Sequence, residues 1–326
     1  MNKTEIPYLD YTWNPLSMRC TPIAEGCKNC WHIKFADRHK NNPNISKDRR
    51  DAFAGGKPVL IELESPLKKQ EPSRIGVQFM GDLFHKKVPF GFIDEVMKII
   101  ALSLCINKHT FQVLTKRPER MLEYFARSII PATENGGGIR VVYDGKKSIR
   151  PAGLLLADLA LTKAYKEDCS VDIDDWPLPN LWLGTSVSTQ ADADKNIPTL
   201  LQIPAAVRFL SLEPLLERID LSEAFNLWCK GEKKIDSIGN VYHKSARGYD
   251  LIKQIIIGCE SGPGARLCSL DDIRYVRDQC KDAGVKCFIK QIPLPGCRKC
   301  RFEPCTHLHG HKQITIVSKN PKEWPE

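Results

Sequence analysis

Short apolar segments alternate with helix-like periodicity along most of the chain. Apolar and β-branched residues recur in segments of four to six, each bounded by polar residues, and such segments predict strands. Between them, apolar side chains recur at helical spacing, as at 92–104 and 271–283. The other predicted helices are 119–128, 190–196 and a further turn at 199–202. The predicted strands are 8–13, 75–80, 110–114, 181–184, 207–210, 254–257 and 285–289.

The repetition of strand and helix indicates parallel strands joined by helical crossovers. Polar residues follow the C-terminal end of each predicted strand, which is where barrels and open sheets bind their ligands. No Gly-x-Gly-x-x-Gly follows a strand, which argues against a dinucleotide-binding sheet. We therefore expect an α/β fold built on a parallel (β/α) barrel, complete or partial.

Two stretches interrupt the alternation. Residues 131–179 contain a glycine run, a short β-like piece and an apolar helix, and residues 225–250 are polar and rich in lysine. We expect both to be insertions over the barrel of residues 1–295, as lids or substrate contacts. Residues 296–326 are predicted to form a separate Cys/His metal-binding knuckle with a C-terminal tail.

Composition and charge narrow the class of protein. The apolar fraction of 42% and the charged fraction of 27% are those of a globular protein. The N-terminus has no apolar signal region, and no apolar run is long enough to span a membrane, so we expect a cytoplasmic protein with no membrane contact. Thirteen cysteines in that setting indicate metal binding and buried thiols rather than disulfides. The formal charge of +9 favours an anionic partner, with nucleic acid the first candidate.

Three cysteines near the N-terminus are the strongest candidate for chemistry. Cys20, Cys27 and Cys30 fall within eleven residues. Three thiolates can bind three irons of a [4Fe–4S] cluster and leave the fourth iron open to a small molecule. Tetrahedral zinc is the alternative, with His32 or His39 as the fourth ligand, and buried inert thiols are a third interpretation.

A second group of metal-ligand types lies near the C-terminus. Three cysteines and one of three histidines would form a closed zinc site, and a second Fe–S cluster is the competing interpretation. The basic residues between the cysteines favour contact with single-stranded nucleic acid. The members of this group are Cys297, Cys300, Cys305, His307, His309 and His311.

Several motifs together resemble a known family. They are similar to those of the phage- and prophage-associated three-cysteine-motif family of unassigned activity, over most of the chain outside the insertions. That family more distantly resembles radical S-adenosylmethionine (SAM) enzymes, whose three cysteines are spaced Cys-x3-Cys-x2-Cys. Here the first gap is six residues and Trp31 follows the last cysteine, and both features depart from that pattern. The motifs include Trp13-Asn14-Pro15, Gly26-Cys27-x-x-Cys30, Asp82-Leu-Phe-His85, Arg208-Phe-Leu-Ser-Leu-Glu-Pro-Leu215 and Phe288-Ile-Lys-Gln291.

The resemblance implies a [4Fe–4S] enzyme. One electron, supplied through the cluster by an electron donor, would cleave SAM to a 5′-deoxyadenosyl radical that acts on substrate. With the basic charge, the substrate is expected to be a nucleic acid or nucleotide, and a partner protein is left open. SAM contacts are expected at strand ends, with turn or capping roles as the alternative. The candidates are Gly81, Asp82, Ser186, Ser188, Gly258, Glu260 and Ser261.

Charged residues at strand ends are the candidates for catalysis. Glu213 would bind substrate or act as an acid–base group, unless it pairs with Arg208 or Arg266. Lys116, with Arg117 and Lys290, would supply positive charge for a phosphate. Asp82 completes the set of catalytic candidates with Glu213 and Lys116.

Two further functions remain open on the sequence. One is a zinc-dependent nucleic-acid-binding protein without catalysis, in which both cysteine groups are structural. The other is an Fe–S enzyme that does not use SAM. Salt-dependent binding without SAM cleavage would favour the first.

Overall fold

The computed structural model describes residues 1–126, 128–131, 139–142, 177–226, 252–260, 264–266 and 268–291. Several predicted features lie outside these residues: the apolar helix of the first insertion, most of the second insertion, Ser261 and the whole C-terminal knuckle. The ligand candidates of that knuckle are Cys297, Cys300, Cys305, His307, His309 and His311.

The strands alternate with helices, as the sequence predicts. In chain order the strands are β1 (Asn2–Lys3), β2 (Tyr11–Trp13), β3 (Leu16–Ser17), β4 (Val59–Leu60), β5 (Arg74–Val77), β6 (Thr110–Thr115), β7 (Ser128–Pro131), β8 (Ile139–Val142), β9 (Leu181–Ser186), β10 (Val207–Leu212), β11 (Ile252–Gly258) and β12 (Lys286–Gln291). The helices are α1 (Trp31–His39), α2 (Lys47–Phe53), α3 (Phe90–Ile106), α4 (Pro118–Phe125), α5 (Gln190–Leu201), α6 (Ser222–Asn226) and α7 (Leu270–Ala283).

Eight of these strands form one sheet in the order β1-β2-β5-β6-β9-β10-β11-β12. Within this sheet only the β1–β2 pair is antiparallel, and every other pair of neighbouring strands is parallel. The parallel strands therefore follow one another in the sheet as they do in the chain. A dinucleotide-binding sheet reverses its strand order at a switch point, and this order has no such reversal. The fold is a mixed α/β fold with a mostly parallel sheet.

Two small antiparallel pairs stand apart from the main sheet. β3 pairs with β4, and β7 pairs with β8. The second pair confirms the short β-like piece predicted in the first insertion.

The two faces of the main sheet bury different sets of side chains. Ile255 and Ile257 belong to the large core that also contains buried helix residues such as Ile100 and Val276. Ile256, between them, faces the other way, as the two-residue period of a strand requires. There it joins a smaller cluster of Tyr8, Leu9, Trp182, Phe209 and Phe288.

The smaller cluster brings the first and last parallel strands close together. Tyr8 lies just before β2, and its ring meets the edge of Phe288 in β12 at 5.6 Å between centroids. These strands lie far apart in the pairing order, so the sheet is curled. Among the described residues, β1 and β12 are the two edge strands of the sheet, and no strand hydrogen bonds join them.

The helix ends follow local chemistry. Pro118 opens α4, where its missing N–H is harmless. Gly284 ends α7 with φ 69°, in the left-handed conformation that glycine adopts without strain. The predicted break near Pro198 is wrong, because α5 runs through it. Ile197, Leu200 and Leu201 are buried there, and their packing outweighs the hydrogen bond that the proline lacks.

No helix in the described part of the chain combines the length and apolar character needed to cross a bilayer.

Candidate active site

A cavity of about 510 Å³ opens at the C-terminal ends of the parallel strands. It is roofed by residues 20–30, which we call the cysteine loop, and all three of its cysteines line the cavity: Cys20, Cys27 and Cys30. Nine further residues predicted from the sequence line the same cavity: His32, Gly81, Asp82, Lys116, Arg117, Ser186, Glu213, Glu260 and Lys290. The structure therefore brings together the candidates that follow separate strands.

Ser188 and Gly258 lie behind this lining. Ser188 is fully buried beside Gly26 of the cysteine loop. A Cβ on Gly258 would lie 3.3 Å from the Glu213 side chain, so Gly258 lets that carboxylate approach the backbone.

Arg117 holds the first end of the cysteine loop. Its Nη1 donates to Asp82 Oδ2 at 2.7 Å and lies 3.6 Å from Cys20 Sγ, and its Nη2 donates to the Thr21 carbonyl at 2.7 Å. Asp82 is buried and Arg117 largely so, with side chains 5% and 12% exposed. Burial alone lowers the pKa of Arg117, but the Asp82 carboxylate outweighs it and the pKa is raised. We call this pair the Asp82 clamp.

Asp82 is saturated with donors. Oδ1 accepts from the Thr115 hydroxyl at 2.8 Å and the Phe84 N–H at 2.9 Å, and Oδ2 accepts from the Lys116 N–H at 3.2 Å as well as from Arg117. A carboxylate with four donors is held in one position. These contacts favour a positioning role for Asp82, rather than the SAM contact or catalytic role predicted from the sequence.

Glu260 holds the other end of the cysteine loop. Its carboxylate accepts from Asn29 Nδ2 at 2.8 Å and from Arg266 Nε and Nη2 at 3.0 and 2.7 Å. Arg266 also lies 3.6 Å from Glu25 of the loop. Burial alone raises the pKa of Glu260, but the donors of Arg266 and Asn29 bring it down to about 2. We call Glu260, Arg266 and Asn29 the Glu260 clamp.

Between the clamps the loop rests on the ends of β6 and β9. A Cβ built on Gly26 would lie 2.2 Å from Ser188 Oγ and 3.3 Å from Lys116 Nζ. Only a glycine allows the loop to come this close without displacing its neighbours. The adjacent Glu25–Cys27 segment forms a 3₁₀ turn that places Cys27 in the buried part of the loop.

Lys116 carries a positive charge into the cavity. Its Nζ donates to the hydroxyl of Ser186, a neutral partner. The neighbouring cations are paired with carboxylates, Arg117 with Asp82 and Lys290 with Glu213. An ammonium with a neutral partner is suited to bind an anionic group such as a carboxylate or phosphate.

Glu213 and Lys290 form an ion pair in the cavity lining. The Lys290 ammonium donates to Glu213 Oε1, and the two side chains are 20% and 21% exposed. The predicted alternative, in which Glu213 pairs with Arg208 or Arg266, is wrong. Arg208 donates to the Ile203 carbonyl, and Arg266 is bound to Glu260.

The three thiols differ in their surroundings. Burial raises the pKa of Cys20 to about 11, with the Asp82 carboxylate adding to the effect and Arg117 opposing it. Cys30 occupies the N-cap of α1, and its thiol makes no capping hydrogen bond.

The donor set fits an iron–sulfur cluster by its chemistry. Three free thiols of one loop surround one cavity. Among the described residues, no three His, Cys, Asp or Glu side chains converge as ligands of one metal ion. A cubane holds its thiolates farther apart than a single ion does, because each thiolate binds a different iron.

The two histidines proposed as a fourth zinc ligand differ. His32 is buried and lines the cavity; its Nε2 bonds the Met18 carbonyl at 3.1 Å, and its Nδ1 has no hydrogen-bond partner. Burial lowers the pKa of His32, so the ring is neutral. His39 instead donates through Nδ1 to the Phe35 carbonyl and stacks on the Phe35 ring. His39 is therefore not brought to the cavity.

His85 supports the first end of the loop. Its Nδ1 accepts from the Lys87 N–H at 3.2 Å, so its Nε2 carries the proton and donates to the Thr21 hydroxyl at 2.9 Å. Burial, with Arg117 adding to it, lowers the pKa of His85 to about 4. These contacts favour the structural role of this histidine.

Sequence reasoning missed several cavity residues. Cys259 is buried, as expected for the scattered cysteines, but its position in the cavity lining was not predicted. Asn29 and Arg266 hold the cysteine loop and were also missed. The sequence signal for Asn29 is its position between Cys27 and Cys30, two predicted ligands.

Fold and cavity define a mixed α/β protein that gathers three loop thiols and several charged strand-end residues around one cavity. The chain belongs to a family described as a protein of unknown function (DUF5131), whose model matches residues 3–310. This confirms the predicted membership of a family of unassigned function. The phage association and the radical SAM similarity stay predictions. No curated protein and no solved structure matches the chain.

Proposed function

We propose that this protein is a radical SAM-type iron–sulfur enzyme that acts on a nucleic acid or nucleotide. The observation that carries the proposal is the position of the cysteine loop. Its three thiols line the same cavity as Lys116, Glu213 and Lys290, at the C-terminal ends of parallel strands. Ligand chemistry lies at that end in both barrels and open sheets.

Cys20, Cys27 and Cys30 would hold a [4Fe–4S] cluster and leave one iron open to the cavity. With SAM bound there, the cluster supplies reductive cleavage of the sulfonium bond, which yields methionine and a 5′-deoxyadenosyl radical. Metal binding removes the thiol protons, so the raised pKa of Cys20 makes loading of the cluster more favourable at higher pH.

The protein residues have separate roles in this proposal. Lys116, with its neutral partner Ser186, binds a carboxylate of SAM or a phosphate of substrate. The Glu213–Lys290 pair lines the cavity and moves a proton to or from substrate. Asp82 and Glu260 position the cysteine loop from its two ends.

A partial barrel is the architecture that this proposal assigns to the curled sheet. The order of the parallel strands in the sheet has no reversal. Right-handed crossover connections between such strands therefore all lie on the same face of the sheet. The inner face is filled by the cluster around Tyr8, Phe209 and Phe288. A layer of side chains below the cavity is typical of barrels, whose interior is a packed core.

The test is an assay for 5′-deoxyadenosine. Anaerobically reconstituted protein is reduced with dithionite in the presence of SAM, and the products are separated by chromatography. We expect 5′-deoxyadenosine from the wild type and none from the Cys27→Ser variant. Cys280→Ala is the matched control, because Cys280 is a buried thiol of α7 outside the cavity, and it should retain the activity. Absence of the product from reduced, iron-loaded wild type would overturn SAM chemistry.

A second candidate function is a zinc-dependent nucleic-acid-binding protein, and His32 is the observation that favours it. A histidine that binds a metal through one nitrogen commonly donates the other N–H to a backbone carbonyl. His32 bonds the Met18 carbonyl in this way and leaves Nδ1 without a partner beside the cysteine loop.

Metal analysis separates the two functions. Under the zinc hypothesis, protein grown with both metals carries zinc at the cysteine loop, and His32→Ala loses it. Under the iron–sulfur hypothesis, His32→Ala retains iron and sulfide in equal amounts. His39→Ala is the matched control, since His39 is held by Phe35 and lies outside the cavity lining.

A further inference from the structure

The rim of the cavity carries an exposed aromatic ring. Trp31 lines the cavity, yet 56% of it is exposed. Ile23, on the cysteine loop, is 52% exposed, and these two are the large apolar side chains left exposed in the described part of the chain. Because burial of an aromatic is strongly favourable, an open ring at a cavity mouth marks a surface for a flat ligand.

Basic side chains follow Trp31 along α1. Lys34 and Arg38 come three and seven residues after it, which puts them on the same side of the helix. Both are exposed, and so is Lys28 just before the helix. Arg19 and Lys40 engage the one carboxylate of α1, Asp37, whereas no ion pair among the described residues involves Lys34 or Arg38.

We infer that this face of α1, formed by Lys28, Trp31, Lys34 and Arg38, binds single-stranded nucleic acid and leads one base into the cavity. The inference rests on the proposed function, in which the substrate is a nucleic acid or nucleotide. Proteins that bind single strands combine cations along the backbone with aromatic rings on which bases stack. The face has both, and it starts at the cavity mouth.

Its dimensions suit a short piece of single strand. From Trp31 to Arg38 the helix rises by about 10 Å, which is the axial span of about three stacked nucleotides. The cavity of about 510 Å³ is of the size of a small-molecule site, so a single unstacked base can enter and a duplex is excluded.

The test measures binding of a fluorescent single-stranded oligonucleotide of mixed sequence by anisotropy, with the full chain and without SAM or reductant. Base stacking contributes about 1–3 kcal/mol, so Trp31→Ala should weaken binding about 5- to 150-fold, and Trp31→Phe should restore most of it. Lys34→Gln/Arg38→Gln should weaken binding and lower the salt slope by about 1.4, the value for two phosphate contacts on a single strand.

Lys108→Gln/Lys253→Gln is the matched control. It removes the same charge at the amino ends of β6 and β11, opposite the cavity, and both lysines are exposed. Affinity should be unchanged in this control, and duplex of the same sequence should bind more weakly than the single strand. Three results would overturn the inference: an equal loss of affinity in the control and in the α1 variants, unchanged affinity in Trp31→Ala, or tighter binding of the duplex than of the single strand. Unchanged affinity in Trp31→Ala would instead assign the ring to a protein partner.

This result is independent of the radical chemistry. If the α1 variants bind as the wild type does while 5′-deoxyadenosine is still formed, the inference fails and the proposed function stands. If the wild type forms no 5′-deoxyadenosine while Trp31→Ala loses binding, the proposed chemistry fails and the binding face stands.

Discussion

The cysteine loop is held at both ends by a carboxylate and an arginine, but the two clamps differ in depth. In the Asp82 clamp Asp82 is buried and Arg117 is largely buried, and Arg117 reaches the sulfur of Cys20 itself. In the Glu260 clamp Arg266 is more exposed, and its contacts go to Glu25 and to Glu260 rather than to a cysteine.

The difference indicates a division of roles. A buried pair loses most when one partner is removed, because the other charge is left without compensation. A pair near the solvent is screened by water and ions and contributes less. The Asp82 clamp is therefore expected to control both the stability of the fold and the placement of Cys20, and the Glu260 clamp chiefly the order of the loop around Asn29.

The largest expected effect is that of Asp82→Asn. It leaves the Arg117 guanidinium buried without a counter-charge and should lower the free energy of unfolding by about 3–5 kcal/mol. Chemical denaturation followed by fluorescence measures this. Arg117→Gln in the same chain should recover part of the loss, since it removes the uncompensated charge. A loss below that of Glu260→Gln would contradict the proposed ranking of the two clamps.

Gly26, which lies between the clamps, gives the next effect. Gly26→Ala places a methyl group 2.2 Å from Ser188 Oγ and should cost about 2 kcal/mol and loosen the loop. Because Ser188 Oγ has no hydrogen-bond partner, Ser188→Ala alone should cost little. The double variant should regain much of the stability in the same denaturation experiment. Strictly additive losses would show that the loop does not rest on Ser188.

Glu260→Gln tests the second clamp, with an expected loss of about 1 kcal/mol near neutral pH. Since the pKa of Glu260 is lowered to about 2 from its usual 4.5, its contribution is complete above pH 4.5 and is lost as the pH falls toward 2. The difference in stability between wild type and variant should therefore shrink below pH 4.5. Unfolding curves at a series of pH values test this, and a constant difference down to pH 3 would count against the clamp.

His85→Gln should have the smallest effect at pH 7.5, about 0.5 kcal/mol, because glutamine can still donate to the Thr21 hydroxyl. The pKa of His85 is lowered to about 4 from 6.5, so the neutral ring stabilises the fold fully above pH 6.5 and loses this contribution as the pH falls toward 4. The variant should show a flatter stability profile across this window. An equally steep profile in wild type and variant would place the titrating group elsewhere.

Much of the fold and the membership of the cavity could be predicted from the sequence. Apolar segments of strand length between periodic helices predict parallel strands, and parallel strands bring their C-terminal ends to one edge. Asp82, Lys116, Ser186 and Glu213 lie at or after the C-terminal ends of four different strands and line one cavity for that reason.

The partners of these residues were less accessible to prediction. Asn29 and Glu260 are 231 positions apart, and nothing local to either selects the other. The predicted pairing of Glu213 with Arg208 could have been rejected from the sequence, because these residues lie at opposite ends of β10, about 16 Å apart along a strand. The position of Cys259 follows a register shift between Ile257 and Gly258, a tertiary feature that periodicity does not contain.

The most direct test of the central claim is the electron paramagnetic resonance spectrum of the dithionite-reduced, anaerobically reconstituted protein, recorded with and without SAM. We predict the signal of a reduced [4Fe–4S] cluster that changes shape when SAM is added, is absent from Cys27→Ser and persists in Cys280→Ala. An iron–sulfur signal that persists in Cys27→Ser and does not respond to SAM would contradict the account of the cysteine loop.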